Sequence, residues 1–336
     1  MRYLLPFLKL IRLPNLLIIA VTMYVIRFGI VFPLLKINHF SLQVSHWQFF
    51  LLALSTVMIA ASGYIINDYF DIKIDRINNP KKNVVGIFIK RRVAMGAHIV
   101  INCVALLLAA YVSYRILFFK LLFIQFITAG LLWYYSVSFK KQAFAGNLIV
   151  ALLAALVPFM GGFYDILLLH TRAHTLLMPF TSGLNEEELT MLFYQYKTSI
   201  SNIFNWICGY SLFAFLLNFT REICKDCEDL EGDKEYHCRT IPILFGYKFS
   251  NHLVGAVLLL SVFVLSYFGK QQYLAGNKYF ILYAAIFVQL PLLWISYKTI
   301  KAGTKREYAA ISKYLKYVMI AGILYIPVFY FTILYA

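Results

Sequence analysis

Nine stretches of about twenty predominantly apolar residues run along this chain, each of a length to cross a bilayer as a helix. They fall at about 13–35, 47–66, 93–114, 116–137, 143–164, 199–219, 251–269, 279–298 and 317–335. Backbone polar groups in hydrocarbon must be paired within the segment, so spans of this kind fold as helices. Of the 336 residues 61% are hydrophobic and 14% charged, whereas soluble domains carry about 25% charge. The expected fold is therefore an all-α integral membrane protein: one nine-transmembrane-helix bundle around a central cavity, a single domain over residues 1–336. No convincing cleavage site follows a short apolar core at the N-terminus, so the first span is read as retained. It carries Arg27 near its middle. A charge there has to face the interior, snorkel or pair.

Basic residues predict orientation. With nine spans, the N-terminus and the links after spans 2, 4, 6 and 8 share one side. That side holds 23 of the 31 Lys and Arg residues. It is expected to be the cytoplasmic face of the cell (inner) membrane, with motif-bearing loops at about 67–92 and 221–249 and a far-side loop at about 165–198. A short amphipathic helix is expected within that far loop, around 185–197. The net charge of +16 then reflects topology and attraction to anionic lipid. Nucleic acid is not an expected partner, because no basic soluble module is visible. Cys103 and Cys208 lie in apolar spans and are expected in the core. Cys224, Cys227 and Cys238 lie on the reducing side, so no disulfide framework is implied.

Two acidic clusters interrupt the apolar pattern. The first is Asn67-Asp68-Tyr69-Phe70-Asp71-Ile72-Lys73-Ile74-Asp75; the second is Lys225-Asp226-Cys227-Glu228-Asp229-Leu230-Glu231-Gly232-Asp233. Both read Asp-x-x-Asp-x-x-x-Asp. On a helix, positions i, i+3 and i+7 share a face, so each cluster can aim three carboxylates one way. Like charges so placed repel unless a cation sits between them. Oxygen donors from two helix ends suit a hard divalent ion, Mg²⁺, holding a phosphate-bearing substrate. The clusters follow spans 2 and 6, which suggests a distant internal repeat of spans 1–4 in spans 5–8 with the clusters facing each other.

Neighbouring residues extend this pattern. Asn67 can supply a neutral carbonyl ligand. The turn at Asn78-Asn79-Pro80 ends the first helix, and Lys81 and Lys82 can neutralise a substrate phosphate. Arg221 opens the second cluster, and Lys225 takes the place that Asn67 holds in the first, so that half can add direct phosphate contacts. Tyr135 and Lys140, at the end of span 4, can hold a diphosphate or orient an acceptor.

The stretch from Asn67 to Asp75, continuing Arg76-Ile77-Asn78-Asn79-Pro80, resembles the first signature of the UbiA superfamily of intramembrane prenyltransferases. Arg221-Glu222-Ile223-Cys224-Lys225-Asp226-Cys227-Glu228-Asp229, with Gly232-Asp233 and Arg239-Thr240-Ile241-Pro242, resembles the second. The Arg-Glu-Ile-x-Lys-Asp-x-Glu-Asp form is similar to the branch that includes geranylgeranylglyceryl-phosphate geranylgeranyltransferases. The family usually follows its first signature with Arg-Pro, where this chain has Lys81-Lys82-Asn83.

The resemblance implies a lateral, lipid-facing opening and Mg²⁺-dependent transfer of a prenyl group from an isoprenyl diphosphate. The partners it implies are that donor, membrane lipid and a hydrophobic or amphiphilic acceptor, either a prenylglyceryl phosphate or an aromatic quinone precursor. Carried over by position, Asn67, Asp71, Asp229 and Asp233 form the metal site, and Asp68, Asp75 and Asp226 are catalytic acids supporting it. Three other readings compete. A phosphatidyltransferase acting on a nucleotide-linked lipid also uses clustered aspartates at a membrane surface, but it would want one extended acidic signature on fewer helices, and this sequence has two separated clusters. A membrane cation carrier would also use paired acids, but it needs them near mid-membrane. A zinc site from Cys224, Cys227, His237 and Cys238 has a real ligand spacing, but adjacent His237 and Cys238 strain tetrahedral chelation.

Overall fold

The computed structural model describes residues 4–78, 84–274 and 276–335. Among these, nine helices are long and apolar enough to cross a membrane. Span 1 is Leu13–Ile37, span 2 His46–Asn78, span 3 Arg91–Arg115, span 4 Lys120–Val137 and span 5 Ala145–Thr171. Span 6 is Glu186–Glu228, span 7 Ile241–Leu274, span 8 Lys278–Ile300 and span 9 Lys305–Leu334. Their number and order match the sequence expectation, but several are longer. Span 2 carries the whole first acidic cluster as unbroken helix to Asn78.

The far-side connection is shorter than expected. Spans 5 and 6 continue as helix through much of 165–198, leaving a link of short helical turns between Thr171 and Glu186. The expected separate helix at 185–197 is the first part of span 6. Asn185 caps it by accepting from the Glu188 amide at 2.9 Å, while the Glu188 carboxylate accepts from the Asn185 amide at 2.9 Å. This reciprocal capping box lets the helix start well outside the apolar run. Cys103 is exposed on the outer face of span 3 and not in the core.

Span 6 packs most extensively on span 5 and also meets spans 7 and 9. Small residues permit the closest approaches. A Cβ on Gly161 would lie 3.0 Å from the Met23 carbonyl oxygen of span 1, and one on Gly162 would lie 2.4 Å from Ile207 of span 6.

At the far end, Arg27 is 0% exposed and donates to Asp165 at 2.9 Å and to the Val44 carbonyl. The Asp165 carboxylate also accepts from the Gln43 and Val44 amides, each at 2.8 Å. The guanidinium lies 4.2 Å from the Phe49 ring centroid. Span 1 widens into a π-helical turn at Arg27–Val31, where this pair forms. The pairing expected of Arg27 is thus realised, and it ties the link between spans 1 and 2 to span 5.

Candidate functional site at the basic end of the bundle

The opposite end gathers both acidic clusters. The second does not lie on a single helix face, contrary to the expectation from spacing. Span 6 stops at Glu228, Asp229 adopts φ −96° and ψ 9°, and a short helix Leu230–Glu235 carries Asp233 onward. The bend brings Gly232 against span 2, where its amide donates to the Asn78 side-chain oxygen at 2.9 Å. A Cβ on Gly232 would lie 2.5 Å from that oxygen, so any larger residue would force the Asn78 side chain to shift. Lys305, at the start of span 9, donates to the Asn78 carbonyl at 2.8 Å.

Lys140 bridges to the first cluster. It lies in the turn Phe139–Lys141 between spans 4 and 5 and donates to the Asp71 carboxylate. Asn67 donates to the same oxygen at 2.7 Å. Burial works against the Lys140 charge, but Asp71, then the Tyr135 hydroxyl and Asp75, raise its pKa above the usual lysine value. Asp233 is pushed up to about 7, first by burial and then by the negative charges of Asp229, Asp71 and Asp75, with Lys140 opposing. Acids from both clusters therefore feel one another's charge. Tyr135 lies within electrostatic reach of Glu222, Lys140, Asp226 and Asp71.

Asp226 accepts from Asn147, at the start of span 5, at 2.8 Å. The next turn of the main chain is joined to the same region, since the Arg239 amide donates to the Lys141 carbonyl at 2.8 Å.

Three expected site residues are engaged in ion pairs of their own. Asp68 pairs with Arg12 at 2.9 Å. Lys225 pairs with Glu222 at 2.5 Å, and Arg221 approaches Glu222 at 3.5 Å. Glu222 and Lys225 stand three positions apart on span 6, so they share one helix face. Lys81 and Lys82 lie outside the described residues. Sequence reasoning missed Arg12, Asn78, Asn147, Glu222, Lys305 and Lys316. Asn147 and Glu222 carried a usable signal as polar groups beside apolar runs. Arg12 takes its position through a left-handed backbone at φ 53° and ψ 52°, a conformation uncommon outside glycine.

The acid set Asp71, Asp75, Asp226, Asp229 and Asp233 has hard oxygen donors, with Lys140 beside it. Among the described residues, no three His, Cys, Asp or Glu side chains stand close enough to hold a metal ion as placed. This applies equally to the cysteine–histidine set, whose Cys224 and Cys227 point from span 6 into the apolar core. The acid set differs in being a net anionic cluster at an accessible helix end. Its charge excess and oxygen chemistry fit Mg²⁺.

Two apolar spaces lie along the spans, lined by none of these acids. One, of about 70 Å³, is lined by Trp206, Tyr210, Phe268 and Tyr325. The other is a groove between spans 1 and 9, lined by Tyr24, Phe28, Phe32, Ile326 and Tyr330.

Residues 16–320 match the UbiA prenyltransferase family. The chain belongs to that family. It is an integral membrane prenyltransferase. It is 29% identical over 256 residues to digeranylgeranylglyceryl phosphate synthase of Thermococcus sibiricus, covering 76% of this chain and 75% of the relative. A solved structure described as that of digeranylgeranylglyceryl phosphate synthase in membranes superposes with a TM-score of 0.62 at 23% identity, covering 97% of this chain and 99% of the other. A UbiA homologue from Archaeoglobus fulgidus bound to DMAPP and Mg²⁺ gives 0.54 at 16% identity, covering 94% and 98%. These two likenesses establish the shared fold.

Proposed function

We propose that this UbiA-family protein catalyses Mg²⁺-dependent transfer of a prenyl group from an isoprenyl diphosphate to a lipid-soluble acceptor, a prenylglyceryl phosphate. The observation that carries this reading is the convergence of the two acidic clusters, with Asp233 in the field of Asp71 and Asp75 and Lys140 between them. The family membership, the curated relatives' names and the DMAPP and Mg²⁺ bound by the Archaeoglobus homologue support it. We assign Asn67, Asp71, Asp229 and Asp233 to hold the metal, with Asp75 and Asp226 beside them. Asp68 is assigned to their border, where it anchors Arg12.

Bound Mg²⁺ supplies positive charge against the departing diphosphate. Lys140 adds a protein cation at the same place and keeps Asp71 oriented when substrate is absent. The allylic carbon–oxygen bond breaks with its electron pair leaving on diphosphate. The acceptor hydroxyl oxygen forms the new ether bond and loses its proton at the aqueous end of the site. Aromatic faces such as Tyr and Phe stabilise an allylic cation, and apolar walls exclude the water that would hydrolyse it. The excess of Lys and Arg on the links after spans 2, 4, 6 and 8 supports a cytoplasmic location for the N-terminus and both motifs in the cell membrane.

Mass spectrometry of products from purified protein, a panel of prenyl diphosphates and two acceptor classes tests the reading. A prenylated glyceryl phosphate that requires Mg²⁺ is expected. Ion flux without prenyl transfer would favour a cation carrier.

A further inference from the structure

We propose that Arg12, Arg221, Lys225 and Lys316 form a second anion site, which receives the phosphate monoester of the acceptor beside the acid set that handles the donor. The inference rests on the prenyl-transfer reading above and adds where the acceptor headgroup docks.

The four cations come from three separate elements. Arg12 precedes span 1, Arg221 and Lys225 sit one turn apart on span 6, and Lys316 lies on span 9. Glu222 lies among them, paired to Lys225 and approached by Arg221. Arg12 is close enough to influence both Glu222 and Lys225, and Arg221 influences Lys316. Four positive charges thus face two negative ones, Asp68 and Glu222. A surplus of two matches a phosphate monoester, which carries about −1.5 to −2 at neutral pH.

Two hydrogen-bonding details favour anion binding here. Among the described residues, the Arg221 Nε is buried with no hydrogen-bond partner. Lys316 donates to the neutral Asn15 side-chain oxygen at 2.9 Å and stands in no ion pair among the described residues. The cluster is also reachable from outside, since the Arg12, Arg221 and Lys225 side chains are 40%, 21% and 32% exposed. Uncompensated charge in a partly desolvated place is costly unless an anion joins it.

The surroundings separate this site from that of the donor. Asp68 forms the border, since it bonds Arg12 and also feels Asp71 and Lys140. On the acid side a diphosphate meets carboxylates and needs metal ions. On the basic side a phosphate meets side-chain cations directly, in the manner of charge-assisted pairs. Spans 1 and 9, which supply Asn15 and Lys316, also line the apolar groove further along, so an amphiphile with a phosphate head and a long chain suits this seam.

The same cluster could read the phosphodiester of a bilayer lipid, and the experiment separates the two sources. Full-length protein in neutral detergent is assayed at saturating donor and Mg²⁺ with prenylglyceryl phosphate and with its dephosphorylated alcohol. In Lys316→Gln and Lys225→Gln the KM for the phosphate acceptor should rise about tenfold or more. Donor KM and Mg²⁺ requirement should be unchanged, and Lys316→Arg should restore most of the affinity. Wild type and Lys316→Gln should act equally slowly on the alcohol, and glycerol 1-phosphate should compete with the acceptor in wild type only. The proposal is overturned if the donor KM rises instead, or if the acceptor KM stays fixed. It is also overturned if phosphatidylglycerol vesicles, and not glycerol 1-phosphate, act through Lys316. Should wild type prenylate an aromatic acceptor and no phosphate-bearing one, both this site and the glyceryl phosphate reading fail, while prenyl transfer itself stands.

Discussion

Lys140 donates to the Asp71 carboxylate across the gap between the turn after span 4 and the end of span 2. Asp71 is nearly fully buried, and its neighbours on both motifs are acids. A charge-assisted bond here holds together groups that would otherwise repel.

Replacing Lys140 with Met keeps the length and removes the charge. The donor KM is expected to rise about tenfold or more, the scale of a lost hydrogen bond to a charged group. Steady-state kinetics with varied prenyl diphosphate at fixed Mg²⁺ gives the answer. An unchanged donor KM would remove Lys140 from the diphosphate site.

Asp71→Asn and Asp233→Asn preserve shape while cutting the negative charge that draws a divalent ion. Each variant should need about 10–100-fold more Mg²⁺ for half-maximal turnover. Titration of activity against free Mg²⁺, with chelator as the zero point, provides the measurement. Wild-type metal requirement in both variants would count against the assigned ligands.

Gly232→Ala places a methyl group within 2.5 Å of the Asn78 oxygen. Overpacking of this kind costs about 1–3 kcal/mol, and it pushes the short helix carrying Asp233 away from span 2. Turnover should drop sharply. Adding Asn78→Ala should recover part of the loss, so the double variant should be less impaired than the two single effects combined. Strict additivity would mean that the contact does not couple the motifs.

The Arg27–Asp165 pair at the far end is a matter of stability. Removing one partner of a buried ion pair costs about 3–5 kcal/mol, so Arg27→Met should unfold at lower temperature in detergent. Turnover per folded molecule should remain at the wild-type level, because the pair lies at the other end of the bundle from the acids. Arg27→Met with Asp165→Leu should recover part of the stability only, since the Gln43 and Val44 amides lose their acceptor. A fall in turnover with intact thermal stability would contradict this assignment.

The nine-span architecture was legible because bilayer thickness imposes a length that hydropathy reveals directly. The first acidic cluster was equally readable, since Asp68, Asp71 and Asp75 do stand on one continuous helix. The second was misread in geometry. Spacing alone implied one helical face, whereas the chain bends at Asp229 and uses Gly232 to lean on Asn78. The basic cluster was harder to see. Arg12 and Lys316 are 304 positions apart, and each looked like an ordinary topology-setting charge at a membrane interface. Only the packing of spans 1, 6 and 9 makes them neighbours of Glu222 and Arg221.

The most direct measurement is the product formed when purified protein meets a prenyl diphosphate and a prenylglyceryl phosphate, followed by mass spectrometry with and without Mg²⁺. The account predicts a species heavier than the acceptor by one prenyl group in place of hydrogen, absent after chelation and strongly reduced in Asp71→Asn and Asp233→Asn. Undiminished product without metal, or in both variants, would contradict it.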